Sequence, residues 1–291
     1  MFFDPELTNV FKDALPGFGP FFMVITELGS ETFYVALILI GYWAFKKKES
    51  ITTAYVLLIS VVLNYWVKQA IANERPPESY RYEGIEATNY STPSGHSQNS
   101  ATLFGWFTAK IKTWWMAVIS ITLTFLIGLS RIYLGVHYLE DVLIGWTIGI
   151  LTVIFLVVAE RPLTSFLSQI KEDYLYLLLL LFGFIATLVS TYIIPLPPGD
   201  NFGSLGGLIM GLAIALPLEK RYVNFSVEAP GDQKWRLALR IILGLILVLG
   251  VMIGLSPFLP TSEVWLRAIR YMLVVVIGVF LWPLIFTKLR L

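Results

Sequence analysis

Nine stretches of this 291-residue chain are predominantly apolar, and that repetition decides most of what it can fold into. They run at 31–46, 51–72, 96–111, 114–134, 138–159, 174–194, 202–219, 236–255 and 263–287. A helix that crosses a bilayer needs about 20 mostly apolar residues. The sequence therefore predicts an all-α, polytopic transmembrane bundle of about nine spans. The third stretch is the most polar at its start, with Gln98, Asn99 and Ser100 in the first turn. Composition agrees, because 56% hydrophobic and 14% charged residues leave too little polar surface for a soluble domain. The net charge of +1 gives no reason to expect a nucleic-acid partner. The absence of cysteine excludes disulfides, zinc–thiolate sites and iron–sulfur clusters.

The N-terminus does not read as a cleavable signal, since Asp4 and Glu6 stand where such a segment would be positive. Asp4-Pro5 reads instead as a helix start, with Leu7, Val10, Phe11, Ala14 and Leu15 on one face. A short helix lying in the membrane interface is expected, ended by Pro16-Gly17-Phe18-Gly19-Pro20. Phe21 to Leu28 is too short to span alone. Basic residues set the orientation. If the turn with Lys46, Lys47 and Lys48 is cytoplasmic, alternate segments carry Lys110, Lys112, Arg161, Lys171, Lys220, Arg221, Lys234, Lys288 and Arg290. The opposite loops 195–201 and 256–262 carry neither Lys nor Arg, so the N-terminus is expected outside and the C-terminus inside.

Ionisable residues near membrane depth mark a functional site by default, and here they collect on the outer side in three places. The first is the end of the second span, from Lys68 to Arg75-Pro76. The second is Pro93-Ser94-Gly95-His96, where the third span begins, and the third runs from Ser130-Arg131 to His137 and Asp141. Lys68 and Arg75, seven residues apart, are expected on one helical face, where two cations hold a phosphate dianion. Ser94 and Gly95 open a helix, whose free N–H groups and positive dipole end bind anions. His137 and Asp141, four apart, are neighbours on a helix, and the carboxylate fixes the tautomer that leaves the other imidazole nitrogen nucleophilic. A turn at Gly135 brings Arg131 back as a third clamp, and His96 remains as general acid. These groups suffice for phosphoryl transfer, so no metal or other cofactor is expected.

The three strings resemble the signature of the type 2 phosphatidic acid phosphatase superfamily, K-x6-R-P, P-S-G-H and S-R-x5-H-x3-D. Every fixed position is matched between residues 68 and 141. The resemblance implies His137 as nucleophile, Asp141 as its partner and His96 as general acid. It also implies phosphate binding by Lys68, Arg75, Ser94, Gly95 and Arg131. Nine spans exceed the six of many members and are similar to the layout of glucose-6-phosphatase.

A lone Lys68 or Arg131 would read as an interfacial anchor, and a lone histidine as structural. The chain has two histidines and both fall inside matching strings, which overturns those readings. Tyr42, Trp43, Trp114, Trp115 and Trp265 read as an interfacial belt. Gly203, Gly207, Gly211 and Ala215, with Gly250 and Gly254, read as close-packing positions, within the chain or across a homodimer. Asn89-Tyr90-Ser91 matches a glycosylation acceptor. The expected organisation is an interfacial segment over 1–29, a five-span catalytic core over 30–160 and four further spans over 161–291. The expected activity is hydrolysis of a membrane lipid phosphate at the outer face of the plasma membrane. The alternatives are a sugar-phosphate phosphatase, a haloperoxidase, a non-catalytic lipid-binding protein and a transporter.

Overall fold

The computed structural model describes residues 3–193, 202–228, 233–260 and 262–291. Among these residues every regular element is a helix, as a chain immersed in hydrocarbon requires for its backbone polar groups. The outer loop 195–201 used in the charge argument lies outside the described residues. In chain order the helices are α1 (Glu6–Ala14), α2 (Gly19–Glu27), α3 (Glu31–Ala44), α4 (Lys47–Ile71), α5 (Gly95–Ile111) and α6 (Trp114–Tyr133). They continue as α7 (Leu139–Leu167), α8 (Glu172–Tyr192), α9 (Gly203–Tyr222), α10 (Lys234–Gly254), α11 (Val264–Val276) and α12 (Trp282–Lys288).

Among the described residues seven helices are long and apolar enough to cross a membrane, with α11 and α12 counted as one continuous rod. The pair α2 and α3, bent by 46°, makes an eighth crossing when taken as one broken span, and α5, the third stretch expected from the sequence, is 17 residues long. The expected span 31–46 is thereby corrected in detail. At 14 residues α3 is about 21 Å long, so it crosses only in company with α2. The break is built by turn bonds from Leu28, Gly29 and Ser30 N–H to the carbonyls of Ile25, Thr26 and Glu27. Ser30 then caps α3 by accepting from Phe33 N–H at 3.2 Å.

The chain divides into two compact units, Met1–Val35 with Thr53–Arg161, and Ala36–Thr52 with Pro162–Leu291. In the first unit the polar opening of α5 faces protein. Gln98 donates to Ser60 O at 2.8 Å and accepts from Asn64 at 2.9 Å, while Ser60 donates to Asn99 at 2.9 Å. Gly145 and Gly149 let α7 approach α5 closely, since a methyl on Gly149 would lie 2.8 Å from Ala101 Cβ. Helix α1 turns Phe11 against a cluster of Phe22, Tyr133, Leu134 and Val136, which Leu15 also joins, and leaves Val10 exposed. Thr8, between them, donates to Ile132 O at 3.0 Å.

In the second unit α9 packs against α8 and α11 through its small residues. Gly206 lies against Thr187, Gly207 against the Ala268 carbonyl, and a methyl on Gly211 would lie 2.7 Å from Val275 Cβ. Gly250 and Gly254 face open space instead. The belt reading fails for Tyr42 and Trp43, which are buried. Pro283 has no N–H to offer the carbonyl four residues back, and Ile277–Leu281 winds as a π-turn. Tyr42 O–H and Trp43 Nε1–H answer the carbonyls of Val279 and Gly278 at 3.2 and 2.7 Å. Trp114 and Trp115 remain exposed.

Adding a methyl at Gly207 forces backbone apart, so Gly207→Ala should destabilise the detergent-solubilised protein by about 1–3 kcal/mol. Gly250→Ala should leave its thermal midpoint unchanged or slightly raised. Equal midpoints for both variants would contradict the packing described.

Candidate active site

Helix α4 carries Lys68 in its last turn, buried, with Nζ donating to Tyr90 O at 2.8 Å. The helix stops at Ile71, four residues before Arg75, because Ala72 adopts a left-handed φ of +52° and returns its N–H to Lys68 O. Arg75 therefore reaches the site from an extended segment, and the expected helical pairing with Lys68 does not form. Asn73 anchors that segment, its carbonyl accepting from Ser91 N–H at 2.8 Å and its amide donating to Thr92 Oγ1 at 2.9 Å. Arg75 is held along its whole guanidinium. Nε donates to Asn89 O at 2.6 Å, one terminal nitrogen to Val136 O at 2.7 Å, and the other to the Asn89 side-chain oxygen. The side chain of the glycosylation-like Asn89 is thus engaged with Arg75.

Ser94 is the N-cap of α5, and its Oγ accepts from Ser97 N–H and Ser97 O–H at 3.4 and 3.0 Å. Its own N–H goes to the Asp141 carbonyl at 3.0 Å, which ties α5 to α7. That leaves the amides of Gly95 and His96 at the helix opening without a backbone acceptor among the described residues. Gly95 backs onto Asn64, whose Oδ1 would be 3.2 Å from an added methyl.

His137 and Asp141 do meet, but not as helical neighbours, since α7 begins at Leu139 and His137 sits in the turn before it. Gly135 makes that turn with a φ of +69°, and any side chain there would strike the Tyr80 carbonyl. Nδ1 of His137 is 3.2 Å from Asp141 Oδ2 and 3.3 Å from Ser91 Oγ. Asp141 is fully buried, and its carboxylate also accepts from Tyr138 N–H at 2.9 Å and from the hydroxyls of Ser91 and Thr92. An acceptor-only carboxylate at Nδ1 requires the tautomer protonated there. Nε2 keeps its lone pair and lies 3.1 Å from Arg75 Nη1.

Arg131 ends α6, buried, with one terminal nitrogen donating to Thr26 Oγ1 on α2 at 2.6 Å. His96, half-buried at the start of α5, lies within electrostatic range of Arg131, His137, Lys68 and Arg75. All eight residues expected from the sequence thus gather at one end of the first unit. Sequence reasoning missed Thr26, Asn73, Asn89 as a clamp on Arg75, Ser91 and Thr92. Only the hydroxyl pair gave a signal, as it directly precedes Pro93. Burial first, and then the charges of Arg75, Lys68 and Arg131, push the His137 imidazole well below its ordinary range. It is therefore neutral at neutral pH.

Fold and site together define a polytopic membrane protein with a cationic anion pocket built around a histidine–carboxylate pair. Residues 49–165 match the PAP2 superfamily, and residues 203–291 match the transmembrane extension of PAP2 superfamily phosphatases. The chain is 32% identical to phosphatidylglycerophosphatase B of Bacillus subtilis over 140 residues, 44% of this chain and 68% of that relative. It is 34% identical to undecaprenyl-diphosphatase of Sulfolobus acidocaldarius over 108 residues, 35% of this chain but only 51% of that protein. The crystal structure of a transmembrane PAP2-type phosphatidylglycerolphosphate phosphatase from Bacillus subtilis shares 27% identity with it. That likeness covers 58% of this chain and 86% of the other, with a TM-score of 0.45. The chain belongs to the PAP2 superfamily and is a membrane phosphatase.

Histidine NMR tests the electrostatics directly, because the chain has two histidines and His96→Gln assigns the pair. A lowered value means that His137 takes up its proton only well below pH 6.5. Arg75→Gln removes the largest charge acting against the imidazolium, so it should move that titration upward. A titration in wild type at or above the ordinary imidazole value would contradict this environment.

Proposed function

We propose that the protein hydrolyses a membrane lipid phosphate, without a metal, through a phosphohistidine on His137. The observation that carries this reading is the two-ended arrangement of one imidazole. Nδ1 is tied to Asp141, and Nε2 is turned toward the Arg75 guanidinium. Lys68, Arg75 and Arg131 supply the positive charge for a phosphate dianion, with the Gly95 and His96 amides at the α5 N-terminus adding donors. The phosphate draws the Arg75 guanidinium to itself and frees the Nε2 lone pair.

Nε2 then attacks phosphorus, the bond from phosphorus to the leaving oxygen breaks, and His96 gives that oxygen a proton. Asp141 stabilises the positive charge that develops on the imidazole. In the second step neutral His96 takes a proton from water, the hydroxide oxygen bonds to phosphorus, and the phosphorus–nitrogen bond breaks. Inorganic phosphate leaves with both histidines restored.

The substrate class is phosphatidic acid, phosphatidylglycerol phosphate or an isoprenyl phosphate or diphosphate. The names of the relatives support it, as does a pocket at span ends, where a headgroup enters while its tail stays in lipid. The distribution of Lys and Arg supports an extracytoplasmic site with the C-terminus inside, and the proposed location is the plasma membrane. The two family matches support a catalytic core over 30–160 followed by an extension over 161–291.

The test is phosphate release by purified protein on a panel of these lipids and glucose 6-phosphate, with EDTA present. Lipid phosphates should be hydrolysed, and His137→Ala should lower the rate by roughly a thousandfold or more. Activity confined to glucose 6-phosphate would move the assignment to soluble sugar phosphates. Loss of activity in EDTA would contradict the metal-free mechanism.

A further inference from the structure

We infer that the elbow between α2 and α3 is a working wall of the site, in which Thr26 positions Arg131 and Gly29 makes room for His96. This rests on the function proposed above. The elbow lies ahead of the 49–165 family match, so none of the three signature strings supplies it.

Thr26 is 5% exposed and Arg131 8%, so their bond is made away from bulk water. At 2.6 Å it is the one hydrogen bond Arg131 makes from its side chain among the described residues, and Arg131 Nε is buried without an acceptor. A single neutral acceptor fixes the guanidinium at one corner and leaves its other donors unspent, while the Glu27 carboxylate acts on it only from electrostatic range. A carboxylate in that place would compete with a phosphate dianion, whereas a threonine hydroxyl does not. The α2 helix is held where it must be, because Phe22, one turn earlier on the same face, stacks on Tyr133 with ring centroids 4.4 Å apart.

Three residues further on, Gly29 touches the other partner. An added methyl would lie 3.0 Å from His96 Cδ2 and 2.8 Å from Ile127 Cγ2, closer than carbon atoms tolerate. The imidazole that protonates the leaving oxygen therefore rests against the elbow backbone. One short segment thus sets the phosphate clamp and the position of the proton donor. On the lipid-facing side of α2, Phe21 and Val24 are exposed, which suits an apolar leaving alcohol.

The experiment compares wild type, Thr26→Val, Thr26→Ser, Gly29→Ala and His137→Ala. Each is assayed on phosphatidic acid in mixed micelles and on p-nitrophenyl phosphate, with orthovanadate as the inhibitor that reports phosphate binding. Thr26→Val should raise KM and the vanadate inhibition constant about tenfold, the scale of one hydrogen bond to a charged group, and Thr26→Ser should restore both. Gly29→Ala should lower kcat on phosphatidic acid about tenfold with vanadate affinity kept. Its loss on p-nitrophenyl phosphate should be smaller, because that leaving oxygen departs without needing a proton. Should Gly29→Ala not fold, the Thr26 pair carries the test alone. Wild-type vanadate inhibition in Thr26→Val, or a serine variant as impaired as valine, would overturn the inference while His137→Ala remains inactive. Equal activity of wild type and His137→Ala would instead remove the underlying reading.

Discussion

A carboxylate sealed from water survives as an anion only if donors surround it, and Asp141 has no exposed surface. Its donors come from different parts of the chain: the hydroxyls of Ser91 and Thr92, the N–H of Tyr138 and the imidazole of His137. Its own backbone carbonyl accepts from Ser94. Through Thr92 and Ser91 the network reaches Asn73 and the end of α4. The three strings that carry the chemistry are thus cross-linked around one buried charge. Removing any donor would leave part of that charge unanswered, a cost of about 1–3 kcal/mol or more.

The same charge explains how a cationic pocket can hold a nucleophile. Burial and three nearby cations oppose protonation of His137, while Asp141 holds the neutral ring in the one tautomer that presents Nε2. Neutral oxygens hold each of these cations: Tyr90 O for Lys68, Asn89 and Val136 for Arg75, and Thr26 for Arg131. Neutral acceptors orient a cation without cancelling its charge, so the attraction for an anionic substrate is preserved. The surrounding helices make this affordable in hydrocarbon by turning polar side chains inward, as Ser60, Asn64, Gln98 and Thr102 do.

Much of this was legible in the sequence, for reasons that differ by residue. The all-helical membrane fold followed from apolar segment length, and the gathering of Lys68, Arg75, Ser94, Gly95, His96, Arg131, His137 and Asp141 from motif spacing. Local geometry was less legible. The spacing of Lys68 and Arg75 suggested a helix that Ala72 ends early, and that of His137 and Asp141 suggested one that begins only at Leu139. Tyr42 and Trp43 looked like interface anchors because a single sequence does not show the carbonyls that Pro283 releases far along the chain. Thr26, Asn73 and Asn89 act through contacts distant in sequence; Asn73 fills an unfixed position of the Lys68–Pro76 string and Asn89 opens an acceptor-like triplet, but neither motif specifies the contact its asparagine makes.

Trapping of the covalent intermediate would show whether His137 carries the phosphoryl group. His96→Gln protein would be mixed rapidly with p-nitrophenyl phosphate labelled with phosphorus-32 and quenched in alkali, which phosphohistidine survives. The predicted result is an acid-labile label on the peptide that contains His137, absent when His137 is replaced by asparagine. Release of p-nitrophenol with no label on the protein, or a label on any other residue, would rule out His137 as the nucleophile.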